Sequence, residues 1–114
     1  MRGGMALLEL ETDESDGRTR LALRGELDIS SAPVLEEALG RAEEAGPPVL
    51  LIDLRGLEFM DSTGLRTVVS ADQRARDEGR RLCIVRGPEP VDRVFSVTRL
   101  DERLELVDDP AAVA

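Results

Sequence analysis

The side chains able to do chemistry gather in two short stretches, Glu26-Leu27-Asp28-Ile29-Ser30-Ser31 and Asp61-Ser62-Thr63-Gly64. Each sets carboxylates beside hydroxyls, and the rest of the chain limits what such a pair can do. All fifteen cationic side chains are Arg; there is no Lys and no His. Without an imidazole a Ser or Cys nucleophile lacks its usual base, and without Lys there is neither a Schiff base nor a phosphate-loop lysine. A carboxylate alone activates a hydroxyl poorly, and the G-x-S-x-G elbow is missing. Catalysis is therefore disfavoured, and three roles compete for Ser62: a helix cap, a nucleophile, or a hydroxyl modified by a partner's chemistry. No cofactor or metal site is expected. A small phosphate ligand at the helix start is a weaker alternative, because the joint has one Gly, no Lys and no aromatic ring to stack.

The elements that must position these stretches follow from periodicity. Val49-Leu50-Leu51-Ile52-Asp53-Leu54 reads as a strand buried on both faces, and Leu65, Val68, Val69 and Ala75 recur at helical spacing after it. Asp61 to Gly64 is thus a strand-to-helix joint, where a side-chain oxygen can accept from amides that have no intrahelical partner. Upstream, Met5 to Glu11 and Arg18 to Gly25 read as strands joined by a polar turn over Thr12 to Gly17. Ser30 or Ser31 is expected to cap a helix with Pro33 in its first turn and Leu35, Ala38, Leu39 and Ala42 on its apolar stripe. Gly46-Pro47-Pro48 stops that helix. Arg55-Gly56-Leu57-Glu58 reads as a connector, and the second helix runs to about Glu78 with Gly79 as its cap.

Further along, Arg81 to Val85 is a buried strand, and Pro88 opens a third helix with Val91, Val94, Phe95 and Thr98 on one face. Leu104 to Val107 is a short last strand, and the tail from Asp109 adds a helical turn. Strands alternating with helices predict a single α/β domain: a mostly parallel mixed sheet with an antiparallel N-terminal strand, packed against about four helices. Residues 1–4 are expected to be a flexible arm and 5–114 the domain. Sites in such sheets lie beyond the carboxyl ends of the parallel strands, so the two acidic-hydroxyl stretches form one surface if their strands are neighbours.

The 114 residues carry a net charge of -9, which opposes binding to nucleic acid and suits a basic protein surface. The core is aliphatic, with two Phe and no Trp or Tyr. Cys83 lies within a buried run and, as the lone cysteine, forms no internal disulfide, in keeping with a reducing cytoplasm. No apolar run approaches the roughly 18 residues needed to cross a bilayer. Arg74, Arg76, Arg80 and Arg81, near the end of the second helix, read as a solvated face that complements the helix dipole.

Three segments together, Gly25-Glu26-Leu27-Asp28, Leu51-Ile52-Asp53-Leu54 and Phe59-Met60-Asp61-Ser62-Thr63-Gly64-Leu65, resemble the STAS family, specifically its small bacterial anti-sigma factor antagonists. The resemblance spans roughly Met5 to Asp108. It implies that Ser62 is phosphorylated by an anti-sigma factor that is also a serine kinase. It further implies that the unmodified chain binds this partner and frees a sigma factor, and that a PP2C-type phosphatase resets the switch. Such switches regulate transcription in stress response or sporulation. Asp28 resembles the family's acidic contact beside the acceptor, Thr63 stands where a second Ser is common, and the implied partner surface comprises Asp28, Ser30, Asp61, Ser62, Thr63 and Gly64. A second role within the family is a docking subunit that needs no phosphate, such as the cytoplasmic module of a lipid-transport complex.

Overall fold

The computed structural model describes residues 7–113, so the expected arm over 1–4 and the start of the first strand at Met5 lie outside the described residues. The chain first reverses at Asp16-Gly17, both at positive φ (54° and 77°). Two left-handed residues make the tight turn whose twist matches that of paired strands, and Asp-Gly is a preferred sequence for it. Strand β1 (Leu8–Ser15) therefore runs directly into β2 (Arg18–Leu27), with Ser15 opposite Arg18. The turn expected over Thr12 to Gly17 is shorter: Thr12 to Ser15 are strand residues on an exposed edge, where polar side chains face water.

Helix α1 (Ala32–Ala45) buries the expected stripe of Leu35, Ala38, Leu39 and Ala42 and ends at Gly46 in the left-handed conformation. Strand β3 (Val49–Met60) is longer than the sequence suggested. The expected connector Arg55–Glu58 is strand, pairing with β2 through two register shifts. Its apolar residues explain this, since Leu57 and Met60 are buried. Gly56 permits the close passage: a Cβ there would lie 2.6 Å from Arg24 Cγ and 3.0 Å from the Leu23 carbonyl oxygen.

Helix α2 (Ser62–Glu78), strand β4 (Arg81–Val85) and helix α3 (Glu89–Val97) follow. Strand β5 is limited to Leu106–Val107, because Leu104 turns into the core instead of pairing. There are three α-helices rather than about four; Leu100–Glu102 and Pro110–Ala112 are single 3-10 turns. Strand order is β1-β2-β3-β4-β5, and only β1 is antiparallel to its neighbour.

Alternation along the central strands sorts the two faces. Leu50, Ile52 and Leu54 of β3 join residues of all three α-helices, among them Leu35, Val68, Val91 and Phe95, in the main core. Leu51 points the other way with Cys83 and Val85, under Val113 of the tail. Arg18 ties that tail down, donating from Nη1 to the Val113 carbonyl at 2.6 Å. The rest of this second face has no helix over it and is charged. Asp53, only 4% exposed, accepts from Arg20 Nε at 3.0 Å, Arg55 Nη2 at 2.8 Å and the Arg55 amide at 3.1 Å. Burial pushes its pKa up, but the hydrogen bonds of Arg55 and Arg20 outweigh that and hold the carboxyl below its ordinary range.

Candidate functional site

Strand β2 ends at Leu27 and β3 at Met60, and these two residues are partners in the parallel register. Asp28 and Asp61 therefore leave neighbouring strands at the same end of the sheet. The Asp61 amide donates to the Leu27 carbonyl at 3.2 Å, joining the two loops. This brings Asp28, Ser30, Asp61, Ser62, Thr63 and Gly64 to one end of the domain.

The first loop is organised by Asp28. Its Oδ1 accepts from the Ser30 hydroxyl at 2.7 Å and from the Ser30 and Ser31 amides at 3.0 and 3.1 Å. The Ser30 hydroxyl lowers the Asp28 pKa most; desolvation opposes it, and the Ser31 and Ser30 amides add enough to hold the carboxyl below its usual range. Ser31 faces inward, donating from Oγ to the Glu26 carbonyl at 2.8 Å and accepting from the Asp28 amide at 2.9 Å. Neither serine caps α1 with its side chain, contrary to the sequence expectation. Both hydroxyls are engaged inside the loop instead, that of Ser30 with the Asp28 carboxylate and that of Ser31 with the Glu26 carbonyl.

The second loop is organised by Asp61. Extended at φ -102° and ψ -174°, it is the N-cap of α2, and its Oδ1 accepts from the Gly64 amide at 2.9 Å. Capping thus falls to Asp61, and Ser62 occupies the first helical position. The Ser62 side chain is exposed, and its hydroxyl makes no hydrogen bond among the described residues. Thr63 is half-buried. Gly64 is buried against β2, where an added Cβ would sit 2.7 Å from Leu27 Cγ and 2.9 Å from the Leu27 carbonyl oxygen. The lack of a side chain at Gly64 is what lets the start of α2 press onto the end of β2.

Three further residues belong to this end of the domain. Ile29 is 74% and Phe59 46% exposed, both unusual for large apolar side chains. Arg66, one turn into α2, is exposed. Their signals were present: Ile29 stands between Asp28 and Ser30, Phe59 follows Glu58, and Arg66 lies off the apolar stripe of Leu65 and Val68. No cluster of His, Cys, Asp or Glu suited to a metal ion occurs among the described residues, nor does any helix long and apolar enough to span a membrane. The four arginines near the end of α2 are all engaged with carboxylates: Arg74 with Glu43, Arg76 with Asp72, Arg80 with Glu78 and Arg81 with Glu105.

A family model described as "Mlab, STAS domain" matches residues 10–108. The chain belongs to the STAS domain family. Among relatives of this STAS domain, an anti-sigma-B factor antagonist of Staphylococcus aureus is 28% identical over 99 residues, covering 87% of this chain and 92% of the relative. An anti-sigma factor antagonist from Mycobacterium paratuberculosis, known from its crystal structure, superposes with a TM-score of 0.85 at 27% identity, covering 92% and 89% of the two chains. SpoIIAA, an anti-sigma factor antagonist, shares the fold in its unphosphorylated form (TM-score 0.77, 19% identity, 92% and 93% covered). The phosphorylated form of Bacillus SpoIIAA does so as well (TM-score 0.71, 18% identity, 92% and 96% covered).

Proposed function

We propose that this STAS domain is an anti-sigma factor antagonist, and that Ser62 is the residue through which it is switched. The observation that carries the reading is the division of labour at the start of α2. Asp61 holds the cap, so the neighbouring hydroxyl is left exposed and without a structural duty. A serine needed for the fold could not be modified without cost; this one can.

The chain supplies the acceptor and the partner supplies the catalysis. The γ-phosphoryl group of ATP passes to Ser62 Oγ, its bond to the ADP oxygen breaks, and the hydroxyl proton goes to a base on the kinase. A PP2C-type phosphatase returns the hydroxyl by transferring the phosphoryl group to water. In the unmodified state Asp28, Ser30, Asp61, Ser62 and Thr63 form the partner surface, seated by the buried Gly64, and binding the anti-sigma factor kinase frees a sigma factor. This chain itself has no enzymatic activity, and it works in the cytoplasm, where such partners are found.

Phosphate at Ser62 disrupts the interface rather than the fold. The group adds roughly -1.5 to -2 charges at a helix start, whose amides and dipole tolerate it. The same architecture in SpoIIAA with and without phosphate supports this. Repulsion between unit charges about 4 Å apart is worth about 1 kcal/mol in water but about 4 kcal/mol at an effective dielectric of about 20, so the phosphate acts strongly where a partner has excluded solvent.

Mass spectrometry after incubation with ATP and candidate anti-sigma factor kinases tests the assignment. One phosphate on Ser62 is expected, and none in Ser62→Ala. A second reading draws on the description of the matching family model, which names Mlab: a docking subunit of a larger complex, such as one for lipid transport. Co-purification with such a complex, together with no phosphorylation by any cognate kinase, would favour it.

A further inference from the structure

Arg66 lies four residues after Ser62 on α2, and both side chains are exposed. Residues four apart are neighbours on a helix surface. Helical side chains also lean toward the N-terminus, so a long one covers the turn preceding its own Cα. The turn within reach of Arg66 is the one that begins at Ser62. Its guanidinium has no ion pair or side-chain hydrogen bond among the described residues. The other arginines of the same helix are engaged, Arg74 with Glu43 at 3.0 Å and Arg76 with Asp72 at 2.8 Å. The site's own carboxylates accept from backbone amides through Oδ1, Asp61 from that of Gly64 and Asp28 from those of Ser30 and Ser31, and neither forms an ion pair among the described residues. An exposed cation one turn after the exposed hydroxyl has no partner among the described residues.

We propose that Arg66 is the phosphate-binding residue of the modified site, folding back along α2 to clamp the phosphoserine at position 62 in an intramolecular ion pair. The proposal rests on Ser62 as the acceptor and deepens that reading by naming what holds the product. An acidic group one turn ahead of a basic one is the better order for such a pair, because it also complements the helix dipole. The planar guanidinium presents parallel N–H donors that match two phosphate oxygens, and a charged donor and acceptor make the stronger kind of hydrogen bond. The positive end of the helix dipole favours the same negative charge.

The clamp gives phosphorylation a second effect. Besides adding charge and bulk at Ser62, it withdraws Arg66 from whatever acidic group on the partner the free side chain would meet. An aspartate at position 62 brings one charge but a shorter reach and no third oxygen, so it reproduces the repulsion better than the clamp.

The test places phosphoserine at position 62 during translation, so that no kinase is required, and follows the phosphate's second ionisation by 31P NMR in the otherwise wild-type chain, in Arg66→Ala and in Arg66→Lys. The paired cation favours the dianion, so the wild-type midpoint is expected to be lower than that of Arg66→Ala by about half a pH unit. Arg66→Lys should fall between them, keeping the charge without the fork. The difference should shrink in about 1 M salt if the pair is exposed. Equal midpoints in the wild-type chain and Arg66→Ala, with unchanged circular dichroism, overturn the clamp. Kinase treatment of the unmodified protein, read by mass spectrometry, separately tests the acceptor: phosphate on another residue would refute Ser62 as acceptor while leaving the NMR result intact.

Discussion

Two adjacent residues, Asp61 and Ser62, carry separable tasks. Asp61 satisfies the Gly64 amide, so Asp61→Ala should cost about 1 kcal/mol of stability. Ser62 makes no such contact, so Ser62→Ala should change stability by no more than about 0.5 kcal/mol while abolishing the phosphorylated species in the mass spectrum. Urea unfolding followed by circular dichroism is the suitable measurement, since the chain has no Trp or Tyr to report by fluorescence. A second prediction concerns acid. Asp53 has a lowered pKa in the fold, so its contribution is complete above the unfolded value of about 3.9 and is lost as pH falls through the folded one. Stability should hold down to about pH 5 and decline below about pH 4. Asp53→Asn should flatten that decline and cost about 2 kcal/mol at neutral pH, through weaker bonds to Arg20 and Arg55.

At the level of elements, the joint depends on β2 and α2 touching. Alanine is normally the better helix residue by about 1 kcal/mol, yet at Gly64 the added methyl would meet the Leu27 carbonyl and side chain. Gly64→Ala is therefore expected to be destabilising by about 1–3 kcal/mol, as overpacking usually is, and to slow phosphorylation of Ser62 by shifting the helix start. Faster or unchanged phosphorylation in that variant would argue that the exact seat of α2 is unimportant. Much of this layer was legible in the chain. Period-two alternation at Leu21 and Leu23 marked β2, helical spacing marked α1 and α2, and Gly46 and Gly79 marked their ends. Two features were obscured for physical reasons. Arg55 to Glu58 looks like a connector because its polar residues face solvent and only Leu57 points inward. Ser30 and Ser31 look like caps because hydroxyls usually serve there, whereas here the Ser30 hydroxyl turns back to the Asp28 carboxylate and that of Ser31 to the Glu26 carbonyl.

At the scale of the molecule, parallel pairing of β2 with β3 makes the site, since it alone sets two loops separated by more than thirty residues of sequence at one end of the sheet. No periodicity within either strand encodes that adjacency. Phosphorylated protein should keep the circular dichroism spectrum and melting temperature of the unmodified form yet bind the anti-sigma factor about a hundredfold more weakly, equivalent to about 2.8 kcal/mol. Titration calorimetry against the purified partner gives the affinity. A matching loss of melting temperature would show that the modification acts by unfolding instead. The two ends of the described chain also differ in a way that bears on such experiments. Leu7 is hydrogen bonded to Glu26 beside the site, whereas Val113 is held by Arg18 at the opposite end of β2. A fluorescent reporter or affinity handle placed immediately before Leu7 would start at the end of the sheet that carries the proposed partner surface and should weaken binding there. One joined beyond Val113 would leave that surface clear, so carboxyl-terminal fusions are the ones to use for binding measurements.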